Sequence, residues 1–380
     1  MTSTLRLWFS WLFLATHSIF GNITKMIAAE HLTNHRETEN FGRIIQNETR
    51  DSLHTAIGDH ETQESIGGEA DLHKHRGECS KNPGHTKFIP VDTFTIQNLP
   101  EGHRNYLLYK YIKAIAELTV RVSVQKVSPN RPEVWPKTND PYPFYNNKTR
   151  LLRTGSGMVG YVKKSTSNVG YVKKFTSNGL KKENRQKTKY SKCWCKKCEC
   201  SESPSSVWWE FDTVTAAHVV FDEIEANHTS LRLFYDTADS SLFLIDKVIV
   251  VDVNVEYDRC ILKCVTCDQR LGEDLEKNWK HYANDVWRKV KSNYYKSRDV
   301  DKLTFIVSHP HGCSKQVSIG HWKDKVKVDE YRNKFTYTTC TCPGTSGAIV
   351  QCVGYSGVWY ELVHSGFKSE YNYSGAGYVL

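Results

Sequence analysis

The sequence contains no internal apolar run that approaches the roughly 20 residues needed to cross a bilayer. It also lacks a general excess of positive charge. Its formal net charge is +9, yet residues 163–197 hold twelve Lys and Arg and one acid, an excess of +11, so the remainder carries about −2. Basicity therefore belongs to one segment, while an aromatic content of 12% in 380 residues is enough for a globular core.

The N-terminal quarter lacks the pattern of a folded domain. In residues 1–21, Arg6 precedes an apolar stretch over 7–15, which is typical of a signal peptide and favours a secretory location over the cytoplasmic alternative. Residues 22–102 are polar, hold seven of the 16 histidines and follow neither a helical nor a strand period. We expect them to form a largely disordered prefix.

Residues 103–380 show the pattern of a mostly β domain. Helical spacing over 107–118 is followed by alternation over 118–124, and short strand-like runs then recur up to residue 267. Leu271 to Tyr294 repeats apolar residues every three or four positions, which predicts a helical connection over 268–301. Strand-like runs resume over 302–380. A basic loop over 160–206 contains a tandem duplication, 159–168 and 169–178, in which nine of ten positions match.

The basic loop also contains a dense cysteine group, Cys193, Cys195, Cys198 and Cys200. Four thiolates this close can hold a tetrahedral structural zinc ion, but disulfides to Cys260, Cys264 or Cys267 are an equally reasonable use of them. The lysines and tyrosines of the loop permit contact with nucleic acid, although a solvated loop is the commoner outcome for such a composition.

Three short strings place a histidine, an aspartate and a serine in chain order. His218 closes an apolar strand in Thr-Ala-Ala-His, Asp258 precedes the strand Arg-Cys-Ile-Leu-Lys, and Ser346 lies in Gly-Thr-Ser-Gly. A serine hydroxyl becomes a nucleophile when an imidazole accepts its proton, and a buried carboxylate fixes the imidazole tautomer. Asp252 is the rival for the carboxylate.

These strings resemble those of the chymotrypsin/trypsin-like serine peptidases, including the HtrA-type branch, over residues 105–380. Gly155-Ser156-Gly157 is similar to the strand that precedes the histidine in HtrA-type members. The resemblance implies two antiparallel β-barrels, with a catalytic triad of His218, Asp258 and Ser346 in the cleft between them. It also implies an oxyanion hole formed by the backbone N–H groups of Gly344 and Ser346, and no required cofactor.

The sequence departs from the family pattern in ways that argue against activation as in digestive enzymes. Thr345 replaces the aspartate that pairs with a newly formed N-terminus, and no Ile-Val-Gly-Gly cleavage motif precedes the first strand. By the same resemblance, His364, Ser365 and Gly366 fall where the family forms its specificity pocket. Viral and glutamyl-specific relatives place a histidine there to bind Glu or Gln.

The resulting hypothesis is a serine endopeptidase that acts on polypeptides through an acyl-enzyme. Two alternatives remain at this point. One is a non-catalytic module of the same fold used for protein binding, and the other is a zinc-stabilised nucleic-acid-binding protein centred on residues 160–200.

Overall fold

The computed structural model describes residues 59–147, 151–167, 190–355 and 362–379. The signal-peptide prediction for residues 1–21 and the second copy of the duplication, 169–178, lie outside these ranges. No helix within them is long and apolar enough to cross a membrane.

The described strands form two antiparallel sheets of eight strands each. The first contains β1 (Gln63–Ser65), β3 (Thr119–Val124), β4 (Leu152–Thr166), β5 (Val207–Thr215), β6 (Thr229–Leu233), β7 (Phe243–Ile245), β8 (Val248–Asn254) and β9 (Arg259–Thr266). The second contains β2 (Phe88–Pro90), β10 (Leu303–Ser308), β11 (Gln316–Lys327), β12 (Arg332–Tyr337), β13 (Val350–Cys352), β14 (His364–Lys368), β15 (Tyr371–Ser374) and β16 (Gly377–Tyr378).

The order of strands explains how distant residues meet. The first sheet runs β7-β6-β3-β4-β5-β9-β8, with β1 added to β4, and the second runs β13-β10-β11-β12-β15-β14, with β2 on β11 and β16 on β12. β3 is buried throughout and β5 almost so, as expected of central strands rich in Val, Thr and Trp. The predicted mostly β architecture of two antiparallel units is confirmed.

The helical elements are short apart from three. They are α1 (Leu72–Gly77), α2 (Tyr106–Leu118), α3 (Lys196–Glu199), α4 (Glu223–Ala226), α5 (Gln269–Lys280), α6 (Trp287–Tyr294) and α7 (Arg298–Asp301), with a π-helical turn at His281–Val286 and 3₁₀ turns at Gly68–Asp71, Pro83–His85, Ile96–Asn98, Glu101–His103 and Pro310–Gly312.

The connection between the sheets begins where the carboxylate of Asp268 caps α5 by accepting from the amide of Leu271 at 2.9 Å. Its buried side follows the spacing seen in the sequence, with Leu271, Leu275, Val286 and Val290 in the main core. The π-helical turn interrupts the spacing between α5 and α6, which the apolar period did not indicate.

Residues 59–102 differ from the predicted disordered prefix. Leu72, Phe88 and Val91 are buried there, at 3%, 6% and 1% exposure. β1 pairs with β4 of the first sheet and β2 pairs with β11 of the second. Composition alone missed this segment because backbone pairing and a few apolar anchors hold it.

Candidate active site

The histidine, aspartate and serine singled out in the sequence converge in the cleft between the sheets. The hydroxyl of Ser346 lies 2.7 Å from Nε2 of His218, and Nδ1 of His218 lies 2.8 Å from Oδ2 of Asp258. All three side chains are buried. When the proton of neutral His218 is on Nδ1, that N–H donates to the Asp258 carboxylate and the lone pair on Nε2 faces the serine hydroxyl.

Asp258 reaches His218 from the tight turn between β8 and β9. Its φ of 51° is left-handed, a conformation that aspartate tolerates better than most residues. Its Oδ1 accepts from the amide of His218 at 3.0 Å, and its Oδ2 accepts from the hydroxyl of Ser365 at 2.5 Å. The rival carboxylate, Asp252, instead pairs with Arg259 at 2.8 Å.

Ser346 sits on a turn that requires glycine on both sides. Gly344 and Gly347 have φ values of 96° and 83°. A Cβ at Gly344 would lie 2.4 Å from the carbonyl oxygen of His309, and one at Gly347 would lie 2.2 Å from Oγ1 of Thr215. The Gly-Thr-Ser-Gly string is therefore dictated by close packing as well as by φ.

The backbone N–H groups of Gly344 and Ser346 point at one oxygen. They donate to the carbonyl of Glu61 at 2.6 and 3.3 Å, while the amide of Glu61 donates to the hydroxyl of Ser346 at 2.9 Å. Two converging N–H groups beside a serine hydroxyl can stabilise negative charge on a carbonyl oxygen. The oxygen they hold belongs to the chain itself.

His364, Ser365 and Gly366, which the resemblance places in a specificity pocket, begin β14 close to Glu61. Nε2 of His364 lies 2.6 Å from the carboxylate of Glu61, and its Nδ1 lies 2.5 Å from the hydroxyl of Tyr337. Ser365 faces Asp258 rather than the pocket. Gly366 lies in β14, beside Phe367, which pairs with Asp59.

The carboxylate of Glu61 also meets Lys81, whose Nζ lies 2.5 Å from Oε1. Burial raises the pKa of Glu61, but the hydrogen bond with His364 and the Lys81 ammonium outweigh it and lower this pKa to about 2. Burial lowers the pKa of His364, against the opposing effect of Glu61. These contacts thus stabilise the ionised form of the Glu61 carboxylate.

A buried ion pair contacts the backbone of His218. The guanidinium of Arg131 pairs with Glu225 at 2.7 Å, both side chains being fully buried, and also donates to the carbonyl of His218 at 3.0 Å. Arg153 pairs with the other carboxylate oxygen of Glu225 at 3.3 Å. Arg131 thereby fixes the backbone at the histidine.

Ser156, from the Gly-Ser-Gly string, links the first sheet to the serine turn. Its amide donates to the carbonyl of Ser346 at 2.8 Å, and its hydroxyl donates to the carbonyl of Gly344 at 2.8 Å. A Cβ at Gly155 would lie 2.8 Å from the Ser346 carbonyl. The small residues of this string allow β4 to approach the oxyanion turn.

The cysteine group contains three of the four predicted members, with Cys267 in place of Cys200. Cys193, Cys195 and Cys198 gather with Cys267, all four potential ligand atoms lying within 4.8 Å of one another, whereas Cys200 is exposed and outside the group. Cys267 follows the end of β9, which the chain spacing of the first four cysteines did not reveal.

Sequence reasoning missed Glu61, Lys81 and Tyr337 as members of the site. Tyr337 and His364 come together because β12 and β14 both pair with β15. No local motif marks Glu61 or Lys81. Residues 22–102 contain seven histidines and several acids, but this composition does not indicate which of them contact the cleft.

Comparisons with known proteins find similarity to solved structures alone, at low identity and low TM-scores. No protein-family model and no curated protein matches the sequence. Among solved structures, the chain is similar to the HtrA-type protease AlgW with a tripeptide, at 11% identity and a TM-score of 0.32, covering 70% of this chain and 58% of that one. It is also similar to the active form of the Rv3671c protease from M. tuberculosis, at 10% identity and a TM-score of 0.30, covering 71% and 82%.

Proposed function

We propose that the protein is a serine endopeptidase, a divergent relative of the chymotrypsin/trypsin-like enzymes, that cleaves polypeptides through an acyl-enzyme on Ser346. The observation that carries this proposal is the unbroken hydrogen-bond chain from Asp258 through His218 to Ser346, at 2.8 and 2.7 Å. A nucleophile, its base and the orienter of that base are all within reach.

The chemistry assigns one role to each group. His218 takes the Ser346 proton as the oxygen attacks a carbonyl carbon, and Asp258 stabilises the resulting imidazolium. The N–H groups of Gly344 and Ser346 hold the developing oxyanion. His218 then protonates the leaving amine, and a water molecule activated by the same imidazole hydrolyses the ester.

We propose that the enzyme prefers glutamate at the residue before the cut. The support is the contact of His364 and Lys81 with a buried carboxylate at 2.6 and 2.5 Å. A site built to bind a charged group discriminates strongly against side chains that leave its own buried polar groups unpaired.

The test is covalent labelling by a fluorophosphonate, which reacts with activated serine, together with hydrolysis of peptides that contain a single Glu or a single Gln. Because Glu61 fills the pocket, we would examine both the natural chain and Glu61→Lys, whose cation would be repelled by Lys81. Ser346→Ala is the control. Labelling at Ser346 with Glu-directed hydrolysis supports the proposal; a folded Glu61→Lys chain that neither labels nor hydrolyses would refute it, and would favour a non-catalytic binding module.

We further propose that Cys193, Cys195, Cys198 and Cys267 hold a structural zinc ion. Their Sγ atoms form a compact group, with 3.5 Å between Cys195 and Cys267, and four thiolates are a common ligand set for zinc. Zinc content measured in Cys198→Ser and in the control Cys200→Ser tests it: only the first substitution should remove a metal ion.

A further inference from the structure

We propose that residues 59–65 are the enzyme's own substrate, and that Ser346 cleaves the bond between Glu61 and Thr62 in the same chain. This inference rests on the proposed peptidase function. It concerns a segment that composition assigned to a disordered prefix, and the geometry around that segment carries it.

The segment before the bond pairs with the second sheet through one isolated bridge. Asp59 and Phe367 exchange two backbone hydrogen bonds, with N···O distances of 2.7 and 2.9 Å, so the segment adds antiparallel to β14. Main-chain pairing with a sheet edge is a general mode of peptide binding. The ring of His60 then packs 4.7 Å from that of Phe144 and 6.0 Å from that of His218.

The segment after the bond is held by the other sheet. Gln63 to Ser65 form β1, which pairs antiparallel with Leu152 to Thr154 of β4. The Glu61–Thr62 bond is therefore held from both sides, by the second sheet before it and the first sheet after it. Such positioning converts a bimolecular attack into a step within one molecule.

The Glu61 carbonyl itself is placed for attack. Its oxygen occupies the oxyanion hole formed by Gly344 and Ser346, and its own amide lies 2.9 Å from the Ser346 hydroxyl. The side chain fits the pocket as well, with the carboxylate between His364 and Lys81.

The reaction balances without any other reagent than water. Ser346 Oγ bonds to the Glu61 carbonyl carbon while its proton passes to His218. The bond from that carbon to the Thr62 nitrogen breaks, and the nitrogen takes the proton as a new amine. Water then hydrolyses the Glu61 ester with His218 as base, releasing the Glu61 carboxylate and restoring the serine.

Cleavage would have an asymmetric outcome. Residues 63–65 remain paired with β4, while residues 59–61 keep the bridge to β14, the packing of His60 and the contacts of Glu61 with the pocket and the oxyanion hole. The fragment ending at Glu61 can then dissociate, which leaves His364 and Lys81 free to bind the side chain of another substrate. Before cleavage, the same segment excludes other peptides from Ser346.

The experiment follows the intact mass of the full chain after expression. We expect a product beginning at Thr62, absent in Ser346→Ala, and formed about 10- to 100-fold more slowly in Glu61→Gln, which loses the charge bound by the pocket. Glu64→Gln is the matched control, because it removes a nearby acid that does not enter the pocket. The rate should not depend on protein concentration.

The outcomes separate this inference from the peptidase proposal. If the chain hydrolyses Glu-containing peptides but stays intact between Glu61 and Thr62, the self-substrate inference fails and the enzyme remains. If it does neither, and Glu61→Lys is also inert toward peptides and fluorophosphonate, the peptidase proposal fails. Cleavage at equal rates in Glu61→Gln and Glu64→Gln would contradict the role of the pocket.

A separate observation leads to a second proposal: we infer that Cys79, His85, His311 and Cys342 form a zinc site. The Sγ atoms of Cys79 and Cys342 are 3.6 Å apart, Sγ of Cys342 is 3.6 Å from Nε2 of His85, and the two histidine Nε2 atoms are 3.1 Å apart. Tetrahedral zinc with its usual bond lengths separates two sulfurs by about 3.8 Å, a sulfur and a nitrogen by about 3.6 Å, and two nitrogens by about 3.4 Å.

Surrounding groups orient these ligands. Nδ1 of His311 lies 2.8 Å from Oε1 of Gln63, which directs the Nε2 lone pair at the group. Asn82 donates to both sulfurs: its backbone N–H to Sγ of Cys79 at 3.4 Å, and its side-chain Nδ2 to Sγ of Cys342 at 3.2 Å. Donors aimed at sulfur favour the thiolate, the form that binds metal.

Zinc at this place would join the N-terminal segment to the catalytic turn. Cys79 and His85 belong to residues 59–102, whereas Cys342 lies four positions before Ser346. The metal would hold Gln63, on the far side of the proposed cut, through His311. Its predicted role is to keep this segment in place after cleavage.

The test measures zinc per chain in full-length protein purified without chelators. Cys79→Ser should lose one zinc ion, and Cys340→Ser, a neighbouring cysteine outside the group, should lose none. Cobalt exchanged into folded Cys198→Ser, which lacks the other proposed zinc site, should still show thiolate charge-transfer bands from Cys79 and Cys342. Unchanged zinc in folded Cys79→Ser, or a Cys79–Cys342 disulfide in the native protein, would overturn the proposal.

Discussion

Replacing Gly344 by alanine tests the oxyanion hole through the backbone alone. The residue has a φ of 96°, where an alanine is strained by roughly 1–2 kcal/mol, and its N–H donates to the Glu61 carbonyl at 2.6 Å. The new Cβ would lie 2.4 Å from the carbonyl oxygen of His309 and 2.7 Å from the amide of His311. Both neighbours are backbone atoms, which cannot swing aside as a long side chain can.

The size of the effect follows from this overlap. Real Cβ atoms stay 3.0 Å or more from such neighbours, so the turn must move by about 0.6 Å. A displacement of that size removes or misaligns one of the two oxyanion donors. Loss of one donor costs about 3–4 kcal/mol of transition-state stabilisation, a fall in kcat of about 10²- to 10³-fold.

The assay is kcat for hydrolysis of a Glu-containing peptide, with Gly102→Ala as the matched control. A Cβ at Gly102 meets nothing within 4 Å, so this variant should keep the natural kcat. Circular dichroism of both variants establishes folding. A folded Gly344→Ala enzyme with kcat within threefold of the natural value would refute the assignment of its N–H as an oxyanion donor.

Three further predictions concern groups around the triad. Ser365→Ala removes the hydroxyl that donates to Asp258, and should lower kcat about tenfold with little change in KM. Glu225→Gln leaves Arg131 buried without its counter-charge, and should lower the free energy of unfolding in urea by about 3–5 kcal/mol. The pKa of Glu61 is about 2, against an ordinary 4.5, so its ionised carboxylate stabilises the bound segment fully above about pH 4.5. This stabilisation is lost as the pH falls toward 2. Hydrogen-exchange protection of the amides of residues 59–65 in Ser346→Ala should therefore decline over this range.

Each of these has its own control or contrary outcome. For the buried acid, Glu256→Gln serves as comparison, because its pair with Lys137 is exposed and should contribute nothing measurable. For Ser365, a KM that rises while kcat stays constant would place the residue in substrate binding instead. For the pH prediction, protection that is constant between pH 5 and 2.5 would show that the carboxylate does not hold the segment.

Local strings predicted which three residues meet in the cleft, because their surroundings constrain them locally. The turn of Ser346 needs Gly344 and Gly347 because neighbouring atoms leave no room for a Cβ there, and His218 closes a strand whose neighbours are buried. The apolar spacing from Leu271 to Tyr294 likewise predicted the buried helical face, because burial of that face repeats with the helical period.

The other residues of the candidate sites come together through long-range contacts that no local sequence motif marks. Glu61 and Lys81 lie in a polar segment whose order comes from backbone bonds to both sheets and from a few buried apolar residues, neither of which stands out in its composition. Cys267 joins three cysteines about 70 positions earlier only because β9 ends beside their loop. Chain spacing suggested Cys200 instead, a neighbour in sequence that is exposed in the fold.

The N-terminal segment joins the two sheets that form the cleft. β1 joins the first sheet, which carries His218 and Asp258, and β2 joins the second, which carries Ser346. A cut after Glu61 leaves both pairings intact, because β1 begins at Gln63. The segment from β1 to β2 therefore continues to connect the two sheets after the proposed cut, and the arrangement of His218, Asp258 and Ser346 need not wait for that cut.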